Sequence, residues 1–155
     1  MRKWLTWNVI FRLHEWAKGH STVQLLKEME AIDQLPAADL YRLQADRLHD
    51  LLRYSYTHVP FVRMRMQEAG IGPDDIREKR DLVRLPILRK ADIRQHREAL
   101  RSVVASKLVP LTTGGSTGEP LIFDLSRRRI SSQVANRQRV YRWWGVSIGD
   151  PELVI

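Results

Sequence analysis

The run Thr112-Thr113-Gly114-Gly115-Ser116-Thr117-Gly118-Glu119-Pro120 sets three glycines among four hydroxyl side chains. That mixture suits phosphate binding. Glycine lets the backbone take positive φ and approach a ligand closely, so that successive N–H groups converge on an anion. Ser and Thr add donors without adding charge. The flanking residues 107–111 and 121–125 are short and apolar, which predicts a strand on either side of the loop. Two common nucleotide motifs are excluded. A Walker A loop needs Lys and then Ser or Thr after its last glycine, where this chain has Glu119-Pro120. The dinucleotide fingerprint needs G-x-G-x-x-G opening a helix, an order that Gly114, Gly115 and Gly118 do not give. A mobile glycine- and threonine-rich turn is the alternative reading of the loop taken alone.

Residues 111–121 resemble the phosphate-binding loop of adenylate-forming enzymes, whose usual form is Ser/Thr-Ser-Gly-Ser/Thr-Thr-Gly-x-Pro. The branch is that of phenylacetate-coenzyme A ligases and related capsule-biosynthesis proteins. Upstream, Tyr54-Ser55-Tyr56-Thr57-His58-Val59-Pro60-Phe61-Val62-Arg63 and Ala69-Gly70-Ile71 are similar to stretches of that branch. So are Asp81-Leu82-Val83-Arg84-Leu85-Pro86-Ile87-Leu88-Arg89-Lys90-Ala91-Asp92-Ile93-Arg94 and the Gly145 to Asp150 element. The resemblance covers roughly residues 40 to 155. Two departures are Gly114, where the family more often has Ser or Thr, and Leu121, where many adenylating enzymes carry Lys. The first removes a hydroxyl and keeps the backbone donors; the second is typical of this branch.

The resemblance implies an enzyme that activates a carboxylic acid with ATP and Mg2+ to an acyl-adenylate and then passes the acyl group to a thiol such as coenzyme A. Thr112, Thr113, Gly114, Gly115, Ser116, Thr117 and Gly118 are then the residues that cradle the nucleotide's β- and γ-phosphates. No residue of the chain is assigned a catalytic or metal-ligating role. Enzymes of this kind continue for several hundred residues past the loop, so the expectation is an amino-terminal fragment without ligase activity of its own. The apolar run Glu152-Leu153-Val154-Ile155 predicts the start of a further strand, which needs neighbours for cover.

The elements that position the loop follow from pattern. Leu40, Leu43, Leu48, Leu51 and Leu52 recur at helical spacing, which predicts a helix over 37–56. A helix over 61–69 closes at Gly70, and Pro73-Asp74-Asp75 opens a turn. A third helix is expected over 90–100. The stretch 22–32 predicts a helix whose Ser21 and Gln24 have the spacing of a capping box. After the loop, a basic helix is expected from about Ser126, as N-cap, to Trp144, stopped by Gly145. The fold class is therefore α+β or α/β: a mainly helical amino-terminal part, a strand-loop-strand unit, a helix and the beginning of another strand. Residues 1–35 read as amphipathic helices ahead of an adenylate-forming portion over 36–155.

The 155 residues carry 43% apolar and 28% charged side chains, the composition of an ordinary folded protein, which does not indicate disorder. The absence of cysteine excludes disulfide scaffolds, thiolate metal sites and cysteine nucleophiles. His14, His20, His49, His58 and His96 show no metal-ligand spacing. No run reaches the ~20 apolar residues that a membrane span needs, and the expected location is cytoplasmic. The net charge of +8 could steer the chain to nucleic acid or anionic lipid. Consecutive residues on a helix point about 100° apart, however, so Arg127-Arg128-Arg129 spreads charge, and a solvated face is preferred over a nucleic-acid patch. Trp4, Trp7, Val9, Phe11 and Leu13 lie among basic residues and make an amphipathic helix that packs on the body or lies on the inner membrane surface. Packing is the commoner outcome; peripheral membrane contact through residues 1–18 is the other. The rivals to the ligase reading are a small basic module for nucleic acid or anionic membranes and a remnant without activity.

Overall fold

A computed structural model of the chain describes residues 2–114 and 120–150. It is mainly helical, with one two-stranded antiparallel hairpin and a carboxy-terminal helix. The helices are α1 (Arg2–Leu5), α2 (Arg12–Lys18), α3 (Thr22–Ile32), α4 (Ala37–His58), α5 (Pro60–Glu68), α6 (Lys90–Gln95) and α7 (Arg127–Trp143), and the strands are β1 (Val109–Thr112) and β2 (Ile122–Leu125). A π-helical turn, Thr6–Phe11, joins α1 to α2. Among the described residues no helix is long and apolar enough to cross a membrane. The chain forms two compact units, one of α1–α3 with α7 and one running Pro36–Leu125.

In the first unit α3 lies against α7. Leu25 and Leu26 meet Ala135, with Trp7 and Met29 packed around them. The buried positions of α7 are Ser131, Ala135 and Gln138, small or polar side chains that admit a close helix. Acidic residues of α3 and its C-cap meet arginines of α7: Glu30 accepts from Arg142 at 2.6 Å and Asp33 from Arg139 at 3.3 Å. The expected solvated face is thus partly an ion-paired one, although Arg127, Arg128 and Arg129 remain exposed. Both predicted ends of α7 hold: Ser126 Oγ accepts from Arg129 N–H at 3.1 Å, and Gly145 takes φ +73°, the left-handed conformation that ends a helix.

The capping box expected at α3 does not form. Ser21 makes no side-chain cap, and Gln24 donates to Glu28 instead. The buried carboxylate of Glu15, in the first turn of α2, accepts from Thr22 N–H at 2.6 Å and from the Thr22 hydroxyl at 2.8 Å. A full negative charge on free N–H groups at a helix start is a stronger cap than a hydroxyl.

In the second unit α4 reaches His58 and hands over to α5 through Val59, which is extended as the residue before a proline must be. Phe61, Met66, Ile71 and Ile76 are buried with Leu52 of α4. The helix predicted over 90–100 ends at Gln95. His96 leaves the helical region, its ring stacks on Phe61 at 4.6 Å, and Ala99 C=O accepts from Phe61 N–H at 2.9 Å. These tertiary contacts outweigh local helix propensity. They also turn residues 97–101 toward the hairpin.

Candidate functional site

The site is the β1–β2 hairpin. Its strands pair antiparallel with Val109 opposite Leu125, Pro110 opposite Asp124, Leu111 opposite Phe123 and Thr112 opposite Ile122. Pairing continues one step further toward the tip. Thr113 N–H donates to Leu121 C=O at 2.9 Å, and Leu121 N–H donates to Thr113 Oγ1 at 3.0 Å. This exchange closes the loop base. The Thr113 hydroxyl spends an oxygen lone pair on the backbone and keeps its own hydrogen as a donor.

Thr112, Thr113 and Gly114 are exposed at that base. A Cβ placed on Gly114 would meet nothing within 4 Å among the described residues. Gly115, Ser116, Thr117 and Gly118 lie outside the described residues. The expected strand over 152–155 lies outside them too; just before it, Ser147 N–H donates to the Asp150 carboxylate at 2.8 Å in a turn.

The other end of the hairpin is held by charge. Asp124, whose side chain is only 7% exposed, accepts from Arg101 Nε at 2.7 Å and from Arg97 at 3.1 Å. The hydrogen bond from Arg101, with that from Arg97, holds the Asp124 carboxyl below the usual carboxylate range despite its burial. The same bond raises the Arg101 guanidinium, which also grips Glu98 at 2.8 Å. A cavity of about 360 Å3 opens beside this cluster, with Arg97, Arg101, Lys107 and Asp124 in its wall. This anchor was not foreseen from sequence. Arg97 and Arg101 are one helical turn apart, the sole local hint of a shared target.

Four histidines take structural partners. His49 meets Asp74 at 2.9 Å, a bond that lowers the Asp74 carboxyl. His20 lies 3.6 Å from Glu15, His58 packs on Tyr54, and His96 stacks on Phe61. Among the described residues no group of three or more His, Cys, Asp or Glu side chains gathers to hold a metal ion. Among the described residues, the loop base offers exposed backbone and the Thr112 and Thr113 hydroxyls, groups that can act as hydrogen-bond donors.

No family model matches the chain. It is similar to a phenylacetate-coenzyme A ligase of Thermus thermophilus, with 36% identity over 100 residues, 59% of this chain and 21% of the relative. The ligase of the same name from Aromatoleum evansii is 27% identical over 125 residues, 79% of this chain and 28% of the relative. That of Escherichia coli is 29% identical over 107 residues, 68% and 24% respectively. The chain spans about a quarter of the length of the curated relatives it matches. Over the matched residues, the chain is a partial homologue of phenylacetate-coenzyme A ligases.

Proposed function

We propose that the hairpin carries the ATP phosphate-binding loop of an acid-coenzyme A ligase, with Thr112 to Gly118 as the residues that receive the β- and γ-phosphates. The observation that supports this most is the closure of the loop base by Thr113 and Leu121 in a chain homologous to such ligases. The two hydrogen bonds of the base bring together the ends of a seven-residue span, 114–120, that is rich in glycine and hydroxyl residues.

In the proposed reaction a carboxylate oxygen attacks the α-phosphorus of ATP. The bond from that phosphorus to the bridging oxygen breaks, and pyrophosphate leaves. The loop's part is electrostatic: N–H and O–H donors spread the charge that grows on the departing pyrophosphate. Mg2+ would accompany the nucleotide as a further charge-neutralising group. A thiol, coenzyme A in the proposal, then displaces AMP from the acyl-adenylate. Phenylacetate, the acid named in the relatives, is the proposed carboxylate. The adenylate-forming portion begins at Pro36, residues 1–35 precede it, and the reaction belongs in the cytoplasm, where ATP and coenzyme A are at hand.

The chain by itself binds and does not turn over, because one binding loop does not assemble a catalytic constellation. Acid-dependent pyrophosphate release by purified chain of verified mass would refute that part. The nucleotide part is tested by Gly115→Asp and Thr117→Ala, each of which is expected to remove MgATP binding measured by calorimetry. Retention of binding in both would point to non-specific attraction by the basic chain.

A further inference from the structure

We infer that the outer side of the amino-terminal helical segment, with the cleft beside it, is a docking surface for anionic phospholipid bilayers. The inward side of the segment is already committed. Trp7 packs against the Leu25, Leu26 and Ala135 cluster, stacks on Phe11 at 5.3 Å and carries the Arg142 guanidinium over its ring at 5.0 Å. Glu15 is buried beneath the start of α3.

The outward side is apolar and large. Trp4 is 65% exposed, Ile10 57%, Leu13 60% and Trp16 82%. Isolated apolar residues on a surface are normal, but a cluster within thirteen consecutive positions marks an interaction site. Its charge chooses the partner. Between Trp4 and Lys18 the charged residues are Arg12, Glu15 and Lys18, and the one carboxylate among them is turned inside. What the segment offers the solvent is therefore Trp, Ile and Leu rimmed by cations, the combination that settles at a bilayer interface.

A second observation lies next to it. Arg12, Trp16, Gln24 and Lys27 line a cleft of about 520 Å3, whose wall also holds Glu15, its carboxylate bonded to Thr22. Neither Arg12 nor Lys27 has an ion-pair partner among the described residues, whereas Arg128, Arg139 and Arg142 of this unit pair with Glu28, Asp33 and Glu30. Two unpaired cations beside an exposed indole fit a phosphodiester headgroup, with the indole at the level of the glycerol backbone. A soluble anion would use the cations and leave the apolar residues uncovered.

The experiment is co-sedimentation of the 155-residue chain with phosphatidylcholine vesicles and with vesicles carrying about 30% phosphatidylglycerol, at about 0.05 M and 0.3 M salt. The expected result is at least tenfold stronger partition into the anionic vesicles, weakened by salt. The pair Arg12→Glu with Lys27→Glu is expected to lower it roughly tenfold or more, and the charge-neutral pair Ile10→Ser with Trp16→Ser to lower it as well. All four positions are surface ones, and circular dichroism of both variants is expected to match the parent. Thr117→Ala leaves vesicle binding unchanged, which separates this inference from the nucleotide reading. Equal or absent binding to the two vesicle types overturns it. So does unchanged binding by both variants, full competition by millimolar inorganic phosphate, or sedimentation showing a dimer that Trp16→Ser dissolves.

Discussion

Asp124 fixes the foot of the hairpin through hydrogen bonds from two arginines, and its ionised carboxylate is what both of them need. With a folded pKa held below the ordinary value, the stability it supplies is fully present above the unfolded carboxylate range, near ~4, and disappears as pH falls through the lower folded value. Asp124→Asn is expected to cost about 1.5–3 kcal/mol in urea unfolding at neutral pH, with a smaller loss of stability on acidification than the parent shows; equal acid sensitivity would assign the effect elsewhere. Thr113→Val removes the acceptor for Leu121 N–H at the loop base, and is expected to weaken MgATP binding several-fold with only a small loss of stability. Of this site, the strand on either side of the loop is legible in the sequence because two short apolar runs flank a contiguous glycine and hydroxyl stretch. The Asp124 anchor is not, because 27 and 23 residues separate Asp124 from Arg97 and Arg101 and no periodicity links them.

Helix ends show where local rules suffice and where tertiary partners replace them. Ser126 caps α7 as its type and position predict, and Ser126→Ala should cost about 1 kcal/mol. Gly145→Ala places a side chain at φ +73° and should cost about 1–2 kcal/mol; thermal melting of each variant checks both. At α3 the order is reversed. Ser21→Ala is expected to change stability by less than ~0.5 kcal/mol, whereas Glu15→Ala strips the buried cap and should cost about 1–3 kcal/mol. Equal effects at the two positions would contradict the assigned cap. The helices over 22–32 and 37–58 are readable from apolar spacing and proline, and the helix over 127–143 from its Ser126 and Gly145 ends. The seating of α7 on α3 is not, since its buried face of Ser131, Ala135 and Gln138 lacks the apolar stripe that sequence reasoning looks for. Residues 96–100 likewise look helical and are drawn out by Phe61.

At the scale of the whole molecule, two compact units share one chain that matches 21–28% of the length of phenylacetate-coenzyme A ligases. The hairpin belongs to the second unit and the apolar, cationic surface to the first, so the proposed triphosphate recognition and the proposed bilayer docking are expected to be separable by mutation. The net charge of +8 attracts any polyanion, and the claim that distinguishes this account is that the attraction to ATP is local to the loop. The most direct test is the phosphorus NMR spectrum of MgATP titrated with the intact chain, compared with the charge-neutral variant Thr117→Ala. The account predicts that the β- and γ-phosphorus resonances shift and broaden with the parent chain, and that the effect falls about tenfold in the variant, as loss of a hydrogen bond to a charged group requires. An unperturbed spectrum with the parent chain, or the same perturbation with Thr117→Ala, would contradict it.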